Sequence, residues 1–247
     1  MSYKNELDEV EKRLKALSRI HKPGQWKPES YVGNNSSRYT FLNLRVPKIR
    51  KAMQEGYSFS NLSFDHQFKI WTYIWNQTEY FEVALSALHF VNKSPVEDLF
   101  KHYKKLLIWQ NKVDNWGHSD ELSNAYARLL EYQPKEIFPA FEKWNQSDNP
   151  WKVRQSLVGL FFYSRFRTKY ISSRIVLKFI KPHLNHSHYY VQKAVGWTLR
   201  ECWNVYPEVT FNFMKKNAKA IPPAGWTAAT EKLNQKDKKE LMTIRKS

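Results

Sequence analysis

Apolar residues recur along this chain at helical spacing, segment after segment. Over 3–18 (YKNELDEVEKRLKALS) Val10, Leu14 and Leu17 fall three or four apart among charged positions, the stripe of an amphipathic helix. Similar periods run over 64–75, 79–91, 95–110, 119–131, 134–144, 150–165, 170–181, 187–205 and 207–217, with a short one near 236–245. Pro47 stands where a helix's first position belongs, and Gly56 is its stop; Pro95 and Pro150 open later helices in the same way. Residues 19–46 have little pattern and hold Pro23, Gly24, Pro28, Gly33, Asn34 and Asn35, a long connection. Pro222-Pro223 interrupts the tail, and no segment shows strand alternation between hairpin turns.

The pattern predicts an all-α chain. Its helices pair at roughly 35–40 residues, the spacing of a HEAT-like helical repeat solenoid with a concave face suited to a duplex. A compact irregular bundle is the competing architecture. A single domain is expected over 1–247, with 1–46 as N-terminal helix and connection, 47–217 as repeats and 218–247 as C-terminal cap.

Charge changes the picture. Forty Lys and Arg oppose 23 Asp and Glu, a formal net charge of +17, which favours a polyanionic partner. The window 149–200 contains no acid, yet it holds Lys152, Arg154, Arg165, Arg167, Lys169, Arg174, Lys178, Lys181, Lys193 and Arg200. A merely solvated surface mixes signs, so this window is expected to form one positive wall against nucleic acid. One cysteine, Cys202, excludes an internal disulfide framework and fits a reducing compartment. No apolar run approaches membrane-span length, and the first residues lack a secretory stretch. The expectation is a cytoplasmic or nucleoid-associated monomer. Seven glycines in no phosphate-loop arrangement, and no zinc-finger spacing, exclude the common nucleotide and zinc motifs. His186-Ser187-His188 lacks clustered Cys or acidic ligands, so neither metal nor cofactor is expected.

Three segments carry candidate chemistry. In WGHSDEL (116–122), Trp116 and Asp120 are four apart and share a helix face, opposite the stripe of Leu122, Ala125 and Leu129. The competing role for Ser119 or Asp120 is capping of that helix. In VQKAVGWTLRECWN (191–204), Val191, Val195, Leu199 and Cys202 form one side, and Lys193, Trp197, Arg200 and Asn204 the other. An indole between cations can lie on a nucleotide while the cations meet phosphate. Alternatively the next helix covers it and the cations snorkel around it. Gly196 removes bulk for a partner helix or a sugar-phosphate chain. In NPWKVR (149–154), Arg154 offers a planar clamp for phosphate, or is an ordinary solvent-facing arginine.

These segments, with FLNLRVPKIRK (41–51), resemble the AlkD branch of the DNA alkylation repair family, whose members are HEAT-like repeat DNA glycosylases. The resemblance runs over about 37–217 and is strongest in QKAVGWTLRE (192–201), followed by WGHSD and WKVR. It implies that Asp120 is the catalytic acid and that Trp116 and Trp197 contact the lesion-bearing nucleotide. It also implies that Arg154 engages the DNA backbone. The charge pattern adds Lys152, Arg165, Lys193 and Arg200 as expected DNA contacts. Gly117 replaces the acid often found beside the first Trp, and Val153-Arg154 replaces paired arginines. The implied function is release of cationic alkylated purines, 3-methyladenine and 7-methylguanine, from double-stranded DNA. A carboxylate would stabilise the developing sugar cation. A non-catalytic repeat protein that binds DNA, and a helical scaffold for protein partners, remain open alternatives.

Overall fold

The computed structural model describes residues 2–20 and 37–247. The turn-forming residues 23–35 of the expected long connection lie outside the described residues. The chain is all-helical, built from stacked helix pairs of HEAT-like type. Among the described residues the sole strand-like feature is an isolated bridge between Thr40 and Tyr80. Two compact units are distinguished, Met1–Ala125 and Tyr126–Ser247, and their boundary falls within a helix.

The first unit holds α1 (Lys4–Ile20), α2 (Val46–Glu55), α3 (Phe64–Gln77), α4 (Phe81–Lys93), α5 (Val96–Lys101), α6 (Tyr103–Ile108) and the start of α7 (Trp116–Tyr132). The predicted stripe of α1 buries Val10 and Leu14 completely. Helix α1 packs on α2 and α3, α2 on α4, and α3 on α4. Their core centres on Phe68, Trp71, Ile74 and Trp75, and the Trp75 indole stacks on Trp109 at 5.2 Å. Each such side chain contributes about 1.5–3 kcal/mol by leaving water. The helix expected over 95–110 is broken. His102 leaves helical backbone (φ −114°, ψ 11°) between α5 and α6, where its ring stacks on Phe68 at 4.5 Å and meets Asp65 at 2.7 Å. The apolar period continues across this break, so the sequence alone did not disclose it.

Residues 37–45 are strapped against α4 and the turn before α7. The buried Glu82 carboxylate accepts the Leu42 and Leu44 amides at 2.9 and 3.2 Å, and Asp114 accepts the Arg38 amide at 2.9 Å. Lys112 donates to the carbonyls of Trp75, Asn76 and Thr78, closing the C-terminus of α3 with a cation. Beneath the start of α7, His118 is fully buried and stacks on Phe81 at 4.3 Å. One ring nitrogen faces the Phe81 carbonyl at 3.1 Å and the other the Asn115 amide nitrogen at 3.1 Å, a neutral imidazole with both positions used.

Burial holds the His118 pKa down to about 3. A histidine with a depressed folded pKa contributes stability that is complete above its unfolded pKa, near 6.5, and is lost as pH falls. Unfolding free energy should therefore fall by about 1.4 kcal/mol per pH unit for this one proton as pH drops below about 6.5. His89, His183, His186 and His188 are also depressed by burial and add to the slope with the same sign. His118→Phe keeps the stack and removes the proton. Denaturant titrations between pH 7 and 5 should give a slope shallower by about one proton, and an unchanged slope would count against this account.

The second unit continues α7 and adds α8 (Pro134–Asn145), α9 (Pro150–Val158), α10 (Ser173–Ile180), α11 (Tyr189–Val205), α12 (Pro207–Asn217), α13 (Pro223–Thr230) and α14 (Gln235–Lys246). Helix α8 packs on α9, and α11 packs on α9, α12 and α13. Val191, Val195, Leu199 and Cys202 are all fully buried, as the stripe on α11 requires. Helix α9 ends at Val158, well short of 165, where a helix was expected to continue. Beyond it Phe162 and Tyr163 take left-handed backbone (φ 26° and 56°), which no α-helix admits. Helix α13 was not anticipated. Its Gly225 meets Gly196 of α11 so closely that a Cβ on Gly196 would lie 2.0 Å from the Gly225 carbonyl oxygen. Of the two partners open to Gly196, the structure thus supplies a helix.

Candidate functional site

In the first unit the site begins with a cap. The Asn115 side chain accepts the His118 amide at 2.8 Å, and its carbonyl accepts the Ser119 amide at 3.2 Å. Asn115 is therefore the N-cap of α7, Trp116 its first residue, and Asp120 lies one turn inside. The capping role considered for Ser119 or Asp120 belongs to Asn115, an asparagine directly before the motif. Gly117, His118 and Ser119 are buried, while Trp116 and Asp120 are both part-exposed. The helix thus presents the indole and the carboxylate on one face, with Leu122, Ala125 and Leu129 on the buried side. Next to Asp120, Glu121 is held by the Asn92 amide at 2.7 Å. Burial pushes its carboxyl up from the usual range, the Asn92 bond and Arg50 oppose this, and the Asp120 charge adds to it.

In the second unit Trp197 is part-exposed on α11. Two of its neighbours come from the turn after α9: Tyr163 meets it edge-on at 5.5 Å and Phe162 lies at 6.3 Å. The Arg200 guanidinium sits over the indole at 5.4 Å. Arg200 is also ion-paired with Glu201 and Glu231, each at 2.9 Å. Burial alone would lower its pKa, but the two carboxylates more than offset this and raise it. Arg154 is buried, 7% exposed, and donates to the Tyr190 carbonyl at 3.0 Å, tying α9 to the first turn of α11. It is therefore not an ordinary solvent-facing arginine. Above it Trp151 stacks on Tyr190 at 5.2 Å.

The acid-free window is therefore not one uninterrupted positive wall. Carboxylates from outside it reach in: Glu131 pairs with Arg167 at 3.3 Å, while Glu201 and Glu231 take Arg200. Lys193, Arg165, Lys169, Arg174, Lys178 and Lys181 are exposed, and Lys152 is part-exposed. Among the described residues, no group of His, Cys, Asp or Glu converges where a metal ion could be held, and no helix is long and apolar enough to cross a membrane.

Sequence reasoning missed Asn115, Glu131, Glu201, Glu231 and the aromatic turn at 162–166. Asn115 had a local signal, an N-cap residue type immediately before the helix. Glu201 stands within the QKAVGWTLRE stretch, but its partner Ser164 lies 37 residues away in the chain. Glu231 had no local signal, because its pairing with Arg200 spans 31 residues of chain.

Comparison with known proteins identifies the family and the fold. The chain matches the family described as DNA alkylation repair enzyme over residues 6–233. No curated protein matches it. Among solved structures it is similar to a predicted DNA alkylation repair enzyme from Enterococcus faecalis, at 14% identity and TM-score 0.67, covering 84% of this chain and 93% of that one. It is also similar to smu.31 from Streptococcus mutans UA159, at 16% identity and TM-score 0.57, covering 97% and 96% of the two chains. A third, AlkD2 from Streptococcus mutans, is 15% identical with TM-score 0.55 and coverage of 96% and 98%. At such identities the structures establish a shared fold, while the family match spans nearly the whole sequence. The chain belongs to the DNA alkylation repair enzyme family.

Proposed function

We propose that this protein is a DNA glycosylase that releases cationic alkylated purines, 3-methyladenine and 7-methylguanine, from duplex DNA. The observation that carries the reading is the pairing of Asp120 with Trp116 on the outward face of α7, with capping delegated to Asn115.

A purine alkylated at N3 or N7 already bears a positive charge. When the C1′–N9 bond breaks, its electron pair goes to the base, which leaves neutral without needing protonation. Positive charge then grows on the deoxyribose. The Asp120 carboxylate stabilises that charge and orients a water whose oxygen adds to C1′ and whose proton is lost to the carboxylate or to solvent. Trp116 offers an electron-rich face to a cationic sugar. Trp197 contacts the lesion-bearing nucleotide, with Arg200 fixing the ring and Arg154 fixing the turn of α11 that precedes it. Lys193, Arg165 and Lys152 meet phosphates.

Single-turnover release of 3-methyladenine and 7-methylguanine from methylated duplex tests the reading. Absence of release from any alkylated duplex, with salt-sensitive binding retained, would favour a non-catalytic binder. The charge assignments make a separate prediction. Lys193 is exposed, so Lys193→Gln should reduce the slope of log K against log salt by about 0.9, the value of one lost phosphate contact. Arg200 is already neutralised by two carboxylates, so Arg200→Gln should leave that slope nearly unchanged. Anisotropy titrations over a salt series read both. Equal reductions would mean that Arg200 leaves its carboxylates for phosphate.

A further inference from the structure

The chain between α9 and α10 does something costly. Phe162 and Tyr163 both adopt positive φ without being glycine. Such backbone persists only where its surroundings over-determine it. Here the surroundings include Glu201, a residue 3% exposed whose carboxylate accepts both the Ser164 amide and the Ser164 hydroxyl at 2.8 Å. The same carboxylate holds Arg200, and Tyr170 adds a bond from its hydroxyl to the Arg167 carbonyl at 3.0 Å. The turn so fixed places large rings outside the core. Phe166 is 57% exposed and Tyr163 36%, set edge-to-face at 5.8 Å, and Tyr163 continues into the Trp197 ring. Arg165 lies on the pair, 5.1 Å from the Tyr163 ring centre and 4.7 Å from that of Phe166.

We propose that Tyr163, Arg165 and Phe166 form a stacking ledge for an unpaired nucleobase, continuous with Trp197 and held in place by Glu201 as a positioning residue. This rests on the DNA reading above and narrows it: the preferred substrate is DNA with a base freed from pairing. Bases within a duplex have both faces covered by their neighbours, so exposed rings gain nothing from them. A base out of the stack offers a free π-face to a ring and a phosphate within reach of a neighbouring arginine. The exposed Arg165 guanidinium lies on the ledge itself, so its charge complements the phosphates of a nucleic acid and not a basic protein surface.

The test uses the full chain with three labelled oligonucleotides of equal length: a perfect duplex, a duplex with a short internal bulge, and a single strand. Wild-type protein should bind the bulged duplex more tightly than the perfect one. The Tyr163→Ala/Phe166→Ala double variant should lose about ten-fold or more on the bulged and single-stranded DNA, the loss expected of missing base stacking, and little on the duplex. Tyr163→Phe/Phe166→Tyr keeps both rings and should bind as wild type does. Both ring positions are exposed, so melting temperature should hold and report that folding is intact. Equal losses on all three oligonucleotides, or none, would overturn the ledge alone. Concentration-dependent self-association in sedimentation, abolished by the double variant, would assign the rings to a second copy and also overturn it. A wild-type protein that binds none of the three would instead overturn the DNA reading.

Discussion

Replacing Asp120 with asparagine should lower single-turnover release of alkylated purines by about 10²–10³-fold, the worth of one preorganised electrostatic contact. Asparagine keeps the size and polarity of the side chain and removes its charge. Because Asn115 caps α7, the substitution leaves the helix start intact, and the melting temperature should be unchanged. Affinity for duplex should hold or rise, since a negative group near a phosphate backbone repels it. The measurement is release of 3-methyladenine and 7-methylguanine with enzyme in excess, with binding and melting followed on the same preparation. Full activity in the asparagine variant would remove Asp120 from the chemistry. A fall in melting temperature matching the fall in activity would make its role structural.

Gly196→Ala should be the most damaging conservative change to stability. The added Cβ would fall 2.0 Å from the Gly225 carbonyl oxygen and 2.5 Å from its carbonyl carbon and Cα. These are backbone atoms, which cannot rotate aside, so α11 and α13 must separate. Gly225 meets the same limit from its side, with a Cβ there 2.4 Å from the Gln192 carbonyl oxygen. Overpacking of this kind costs about 3 kcal/mol or more, which for a chain of this size lowers the melting temperature by about 6–12 °C. Separation also moves Glu231, which directly follows α13, away from Arg200 and so loosens the cation over Trp197. Thermal melts followed by circular dichroism, with limited proteolysis of the C-terminal helices, would show the effect. An alanine variant that melts with the wild type would mean that the two helices slide past one another at little cost.

Several features were legible from local chemistry. The apolar periods located most helices to within a few residues, because burying one stripe is what stabilises a short helix. They also assigned the sides of α11 correctly, from buried Val191, Val195, Leu199 and Cys202 to the more exposed Lys193, Trp197, Arg200 and Asn204. The early end of α9 and the break at His102 were hidden for a common reason. At both places the apolar spacing continues while a tertiary contact, Glu201 with Ser164 or His102 with Phe68, redirects the backbone. Helix α13 was hidden by composition, since Ala, Gly and Thr give little periodic contrast and Pro222-Pro223 resembles a tail. Pro223 at its first turn was the available sign.

The sequence by itself determined the helical class, the excess of positive charge, and the pairing of Trp116 with Asp120 one turn apart. All three follow from residue type and short-range spacing, which survive without knowledge of any partner. Only the tertiary structure decided which of the window's arginines find partners within the fold. Arg154, Arg167 and Arg200 read as equals of Lys193 and Arg165 in a window without acids. The fold then buries the first and brings Glu131, Glu201 and Glu231 to the other two. An ion pair between residues tens of positions apart leaves no local trace, because its energy depends on a distance that only packing sets.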